Sequence, residues 1–141
     1  MAFLDDLVTL IEDANAAEFG VNLFLSTKGD LPLLPSGVVS LVETGGTDPL
    51  RIQNSVTRPA YIRPSAQITT RAASPDLAKA LAQSCYDAIV GVRNSWVINS
   101  GATASGWYRE INPLQEPFDA GVDDRKQFKY VFNVIAIRRN K

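Results

Sequence analysis

A chain of 141 residues, 45% hydrophobic and 21% charged, has the size and balance of a single folded domain spanning 1–141 and not those of a disordered segment. With no histidine and one cysteine, Cys85, it lacks the usual general base and the commonest metal ligand, and it can form neither a Ser-His or Cys-His nucleophile pair nor an intrachain disulfide. A net charge of −1 argues against a dedicated nucleic-acid binder, no apolar run approaches the roughly 20 residues of a membrane span, and Asp5 and Asp6 interrupt any signal peptide, so a cytoplasmic chain is expected.

Leu4, Leu7, Val8 and Ile11 recur at i, i+3, i+4 and i+7, with Asp5, Asp6, Glu12 and Asp13 between them, which predicts an amphipathic helix over about 2–15 with Gly20 near its stop. Val21, Leu23 and Leu25 alternate with Asn22, Phe24 and Ser26 and predict a strand; Val38 to Glu43 predicts another. Between about 44 and 65, Gly45-Gly46, Pro49, Pro59 and Pro64 interrupt any period, and a long irregular loop is expected. Strict alternation over Ala66 to Ala72 predicts a third strand.

Ser74-Pro75-Asp76 is a helix start, because Ser accepts from free backbone N–H groups while Pro needs no donor in the first turn. Leu77, Leu81, Cys85, Ile89 and Val92, with Ala78 and Ala88 beside them, then form the expected apolar stripe of a helix running to about Val90. Trp96-Val97-Ile98 and Gly106 to Ile111 read as short strands around the turn Asn99 to Ser105, and Pro113 to Arg125 reads as loop. Gln127 to Arg139 is a long strand with Phe128, Tyr130, Phe132 and Val134 on one face and Val131, Ile135 and Ile137 on the other. The expected fold is α+β, in the order α-β-β-β-α-β-β-β, with a largely antiparallel sheet and two helices on one face.

Candidates for chemistry are few. Asp119, Asp123 and Asp124 cluster in a Gly-containing loop, but their spacing is not that of an EF-hand, and hydrogen bonds to backbone N–H groups explain them better than a metal. Gly45-Gly46-Thr47 follows a strand as a phosphate loop would, yet no Lys-Ser/Thr or helix follows, so a turn is expected. Cys85 lies on the apolar stripe and reads as a small buried hydrophobe. Trp107, Tyr108 and Arg109 resemble a base-stacking platform, but alternation puts the two rings on opposite faces. Arg51, Arg58, Arg63 and Arg71 fall in an acid-free stretch that suits either solvent or an acidic partner. No catalytic, cofactor-binding or metal site is expected, and no cofactor.

Charge is segregated along the chain. Residues 1–18 carry Asp5, Asp6, Glu12, Asp13 and Glu18 and no base, whereas residues 125–141 carry Arg125, Lys126, Lys129, Arg138, Arg139 and Lys141 and no acid. These ends pair either within one subunit or across two. With the two-faced apolar last strand they make Asp5, Asp6, Glu12, Asp13, Val131, Ile135, Ile137, Arg138 and Arg139 the candidate subunit interface.

Three segments, taken with the order of elements, resemble the tail terminator (tail completion, or minor capsid) proteins of long-tailed bacteriophages. They are Ala66 to Ala72 leading into Ser74-Pro75 and a helix, Trp107-Tyr108-Arg109-Glu110-Ile111 followed by Pro113 to Pro117, and Gly121-Val122-Asp123-Asp124-Arg125 before a strand containing Tyr130 and Asn133. The resemblance spans about residues 3–139, and the proline-rich stretch from Gly45 to Pro64 departs from it. It implies a non-enzymatic virion protein assembled in the host cytoplasm, which forms a ring, usually of six copies, on the head-facing end of the tail tube. Such a ring stops tube polymerisation, docks to the head-tail connector and lets DNA pass through its lumen. A head-tail joining protein, a tail tube protein or a small nucleic-acid-binding module would differ from it in assembly: a tube protein polymerises into filaments, whereas a terminator closes.

Overall fold

In the computed structural model, which describes residues 2–25, 37–50, 61–97, 106–123 and 125–139, the first element is helix α1, Ala2–Asp13. It buries Phe3, Leu4, Leu7 and Ile11, the face given by the 3.6-residue period. Its stop is not Gly20. Asn15 takes the left-handed conformation (φ 59°), and the Ala16 N–H reaches back to the Ile11 carbonyl at 3.1 Å while that of Asn15 reaches Glu12 at 2.9 Å. This satisfies carbonyls the helix end would otherwise leave open.

Strands β1 (Leu23–Leu25), β2 (Val38–Leu50), β3 (Tyr61–Ala72), β4 (Arg93–Val97), β5 (Gly106–Pro113), β6 (Phe118–Val122) and β7 (Phe128–Arg139), with helix α2 (Pro75–Ile89) between β3 and β4, complete the described elements. The sheet runs β1-β2-β3-β7-β5-β4, and β6 pairs with the half of β7 that β5 leaves open. All pairings are antiparallel except β1 with β2. The class and order are those expected, with β6 added where a loop over Pro113 to Arg125 was expected. The loop expected over about 44–65 is strand at both ends, since β2 extends to Leu50 and β3 begins at Tyr61, and its middle, 51–60, lies outside the described residues; Gly45-Gly46-Thr47 therefore lies in a strand and is neither a turn nor a phosphate loop.

Both helices pack on one face. That face presents Val39 and Leu41 of β2, Ala66 and Ile68 of β3, Tyr108 and Ile111 of β5 and Phe132, Val134 and Ala136 of β7, all essentially inaccessible to solvent. Burying each large apolar side chain contributes about 1.5–3 kcal/mol, and Tyr86 of α2 closes edge-on over Phe132 with ring centroids 5.6 Å apart. Helix α2 starts as expected, with the Ser74 hydroxyl accepting from the Leu77 N–H at 3.2 Å. Its buried face is Ala78, Ala82, Cys85 and Ile89, while Leu77 is 45% exposed. The expected stripe holds at Cys85, Ile89 and Val92, with Leu81 half-buried against the core, and departs only at Leu77, where Ala78 faces the sheet instead and its carbonyl accepts from the Thr70 hydroxyl at 2.9 Å.

Candidate functional site

Helix α1 crosses the strands, touching β2, β4 and β5, so its two ends stand over different parts of the sheet. Its early half carries Asp6 onto β5 and β7. There the buried Asp6 carboxylate accepts a short hydrogen bond from the Tyr108 hydroxyl and pairs with Arg138 Nε at 3.4 Å. Arg138 also lies over the Tyr108 ring, 5.7 Å from its centroid. Burial, then the hydrogen bond to Asp6, raises the Tyr108 pKa far above its ordinary value, so the phenol stays protonated as the donor. Gly106 makes room for this cluster: a Cβ there would stand 2.6 Å from the Asp6 carboxylate and 2.7 Å from Arg138 Nε. Asp6 and Arg138, two of the expected interface residues, are thus joined inside one subunit.

Arg139 is placed differently. Phe132, Val134 and Ala136 face the helices, so the alternate residues Val131, Asn133, Ile135, Ile137 and Arg139 point to the other face. The exposed Arg139 guanidinium lies 4.6 Å from the ring centroid of Trp107 and 5.9 Å from that of Trp96, and Tyr61 stands 6.4 Å from Trp107. Trp96 is 51% exposed on the outer strand β4. Trp107 and Tyr108 do lie on opposite faces, as alternation requires. Ile135 and Ile137 are half-buried there, and Val131 is buried opposite Phe118.

At the far end of α1, the chain from Glu12 to Asn22 folds beside β1, tied by a bridge between Phe19 and Leu23. Glu12 accepts from the Phe19 N–H at 3.0 Å, and the Asn22 side chain accepts from the Glu18 N–H at 2.8 Å. These residues, with Asn15, Ala16, Ala17 and Val21, line an open cleft of about 380 Å³. Asp13, Glu18, Phe19 and Val21 are exposed, whereas Asp5 is half-buried. The charge segregation seen in the sequence therefore has two outcomes: Asp6 and Arg138 pair within the subunit, whereas Glu12, Asp13 and Glu18 gather toward the β1 edge and Arg139, at the end of the interior strand β7, reaches over Trp107 of β5 toward the second edge, at β4. The aromatic side of the second edge was not legible as a cluster, since Tyr61, Trp96 and Trp107 meet only through strand register.

The other sequence candidates have structural partners. Asp123 accepts from the Arg125 and Gln127 N–H groups at 2.9 Å each and pairs with Arg71 at 3.3 Å, closing the β6–β7 turn. Asp119 accepts from the Gly121 N–H at 2.8 Å. Arg63 is half-buried on β3, whereas Asp124, Arg51 and Arg58 lie outside the described residues, as do Ile98 and the turn from Asn99 to Ser105. Cys85 is fully buried and its thiol pKa is pushed up to about 12 by desolvation. Among the described residues no group of acidic and cysteine side chains is arranged to hold a metal ion, and no helix is long and apolar enough to cross a membrane.

The architecture defines an α+β protein with a mostly antiparallel sheet, helices on one face and no recognisable reaction centre among its described residues. Neither a protein-family model nor a curated protein matches the sequence. Among solved structures, the chain is similar to one from the structure titled "Virion of native gene transfer agent (GTA) particle", with a TM-score of 0.58 and 19% sequence identity over 92% of each chain. At that identity the likeness is one of fold.

Proposed function

We propose that this chain is a structural virion protein of a long-tailed phage or phage-like particle, and within that class a tail terminator. In this reading it forms a closed ring, a hexamer, at the head-proximal end of the tail tube. It stops tube growth, contacts the tube protein below and the head-tail connector above, and leaves a lumen for DNA. It carries no enzymatic activity and takes no cofactor. The observation that carries the proposal is a fold likeness running through nearly the whole of both chains to a component of a gene transfer agent virion. The order of elements and the motif segments of the sequence point the same way.

The side chains suit an assembly role. Cys85 is buried with its thiol pKa raised, and Asp119 and Asp123 hold backbone turns. Arg139, Trp96, Phe19 and Val21 instead stand on the surface, where they are available to neighbours. DNA must slide through the ring, so the lumen is expected to be acidic or mixed and without a continuous basic track.

Sedimentation velocity and negative-stain microscopy of the purified protein test the reading. A closed ring of six copies, about 92 kDa at 15.3 kDa each, is the expected species. Filaments would indicate a tube protein. A monomer at every concentration, whose melting point rises with a small ligand or an oligonucleotide, would point to an enzyme or a nucleic-acid-binding module.

A further inference from the structure

The two sheet edges carry complementary surfaces that cannot meet within one subunit. From β1 to β4 the sheet spans five strand spacings, about 24 Å, and α1, about 18 Å long at 12 residues, lies across it with its Glu12 end near β1. At that edge two carboxylates, Glu12 and Glu18, flank a cleft floored by small side chains, with Phe19 and Val21 exposed beside it at 51% and 56%. Toward the β4 edge, on the face opposite the helices, Arg139 at the end of β7 reaches past Trp107 of β5 to Trp96 of the edge strand. One edge thus offers acid and an apolar rim, the other a cation and an exposed indole.

Resting on the ring reading above, we propose that these edges form the contact between successive copies of this chain: the Trp96–Arg139 pair of one subunit enters the Glu12–Glu18 cleft of the next. The occupant is a second copy because the two surfaces match in charge and apolar character, and because two different patches on opposite sides of the subunit give a head-to-tail contact that repeats around a ring. Contact with the two indoles holds the Arg139 guanidinium near their faces, and its N–H groups can donate to carboxylates, often in pairs. A single-stranded nucleic acid fits less well. Arg139 already occupies the Trp107 ring at 4.6 Å, where a base would stack, and the chain has no net positive charge. Arg138, held by Asp6 in the interior, takes no part.

The test is charge reversal at exposed positions, read by sedimentation velocity across a concentration series. Arg139→Glu and Glu18→Arg, each folded by circular dichroism, should each weaken self-association at least about tenfold. Mixing the two variants should restore assembly, because the glutamate introduced at position 139 of one chain then meets the arginine introduced at position 18 of the other, while Arg139 of the second meets the unaltered Glu12–Glu18 cleft of the first. The double variant should associate within about threefold of wild type, and Trp96→Ala should weaken it without altering its salt dependence. Association of the Arg139→Glu variant at wild-type strength, failure of the mixture to recover, or a wild-type chain that stays monomeric would each overturn the inference. So would unchanged assembly together with lost oligonucleotide retention, which would make the β4 edge a nucleic-acid surface. Rings that persist in the reversed variants would leave the terminator reading standing, since tail length tests that separately.

Discussion

Replacing Asp6 by alanine removes the one carboxylate that serves both Tyr108 and Arg138. Asp6 is fully buried and the Arg138 side chain is only 12% exposed, so the variant leaves a guanidinium without its counter-charge and a phenol without its acceptor. Removing one partner of such a pair costs about 3–5 kcal/mol, because the remaining charge stays desolvated. For a domain of this length that lowers the melting temperature by about 10–20 °C. Calorimetry on Asp6→Ala, Arg138→Met and the double variant forms a cycle. The double variant should lose less than the sum of the singles by about 1–3 kcal/mol, since no uncompensated charge then remains and only the Tyr108 phenol still lacks its acceptor. A loss below about 1 kcal/mol for Asp6→Ala would refute the reasoning, for it would mean that the pair is solvated in solution.

Three further outcomes follow from the same interior. Gly106→Ala should destabilise the fold comparably to Asp6→Ala in thermal melts, because its Cβ would intrude to 2.6 Å on a carboxylate that has nowhere to move. Cys85 should be inert to a thiol-specific chromogenic reagent in the native protein and react on unfolding in urea; rapid labelling of the folded chain would contradict its burial. Stability should fall as the solution becomes alkaline. The folded Cys85 pKa is raised from 9.0 to about 12 and that of Tyr108 is raised above 10.0, so their contribution is complete below pH 9 and declines above it as the unfolded chain loses protons first. Denaturant midpoints from pH 8 to 11 should show a shallower decline in Cys85→Ala.

Much of the fold is legible in the sequence where a period runs unbroken. Helix α1 and the alternation of β3 and β7 announce themselves because one face is uniformly apolar. The ends of β2 and β3 do not. Their pairing survives Gly45 and Gly46 through register shifts between Thr44 and Leu50, and Pro64 falls where the β3–β7 ladder skips from Ile62 to Ser65, so residues that read as breakers sit at irregularities. Strand β6 is five residues with a register shift between Asp119 and Gly121, and it is recruited by the open half of β7 and not by its own pattern. Among the expected interface residues, the charge segregation was visible, but nothing local distinguishes Arg138 from Arg139. Their opposite fates come from strand parity: the even position meets Asp6 beneath α1 and the odd one meets the tryptophans.

The central claim, that this chain ends the tail and joins it to the head, is tested most directly by electron microscopy of particles assembled with the gene disrupted and with it restored. The account predicts tails that are overlong or unable to join filled heads in the disrupted case, and normal particles on restoration. Tails of normal length attached to filled heads without the protein would contradict it.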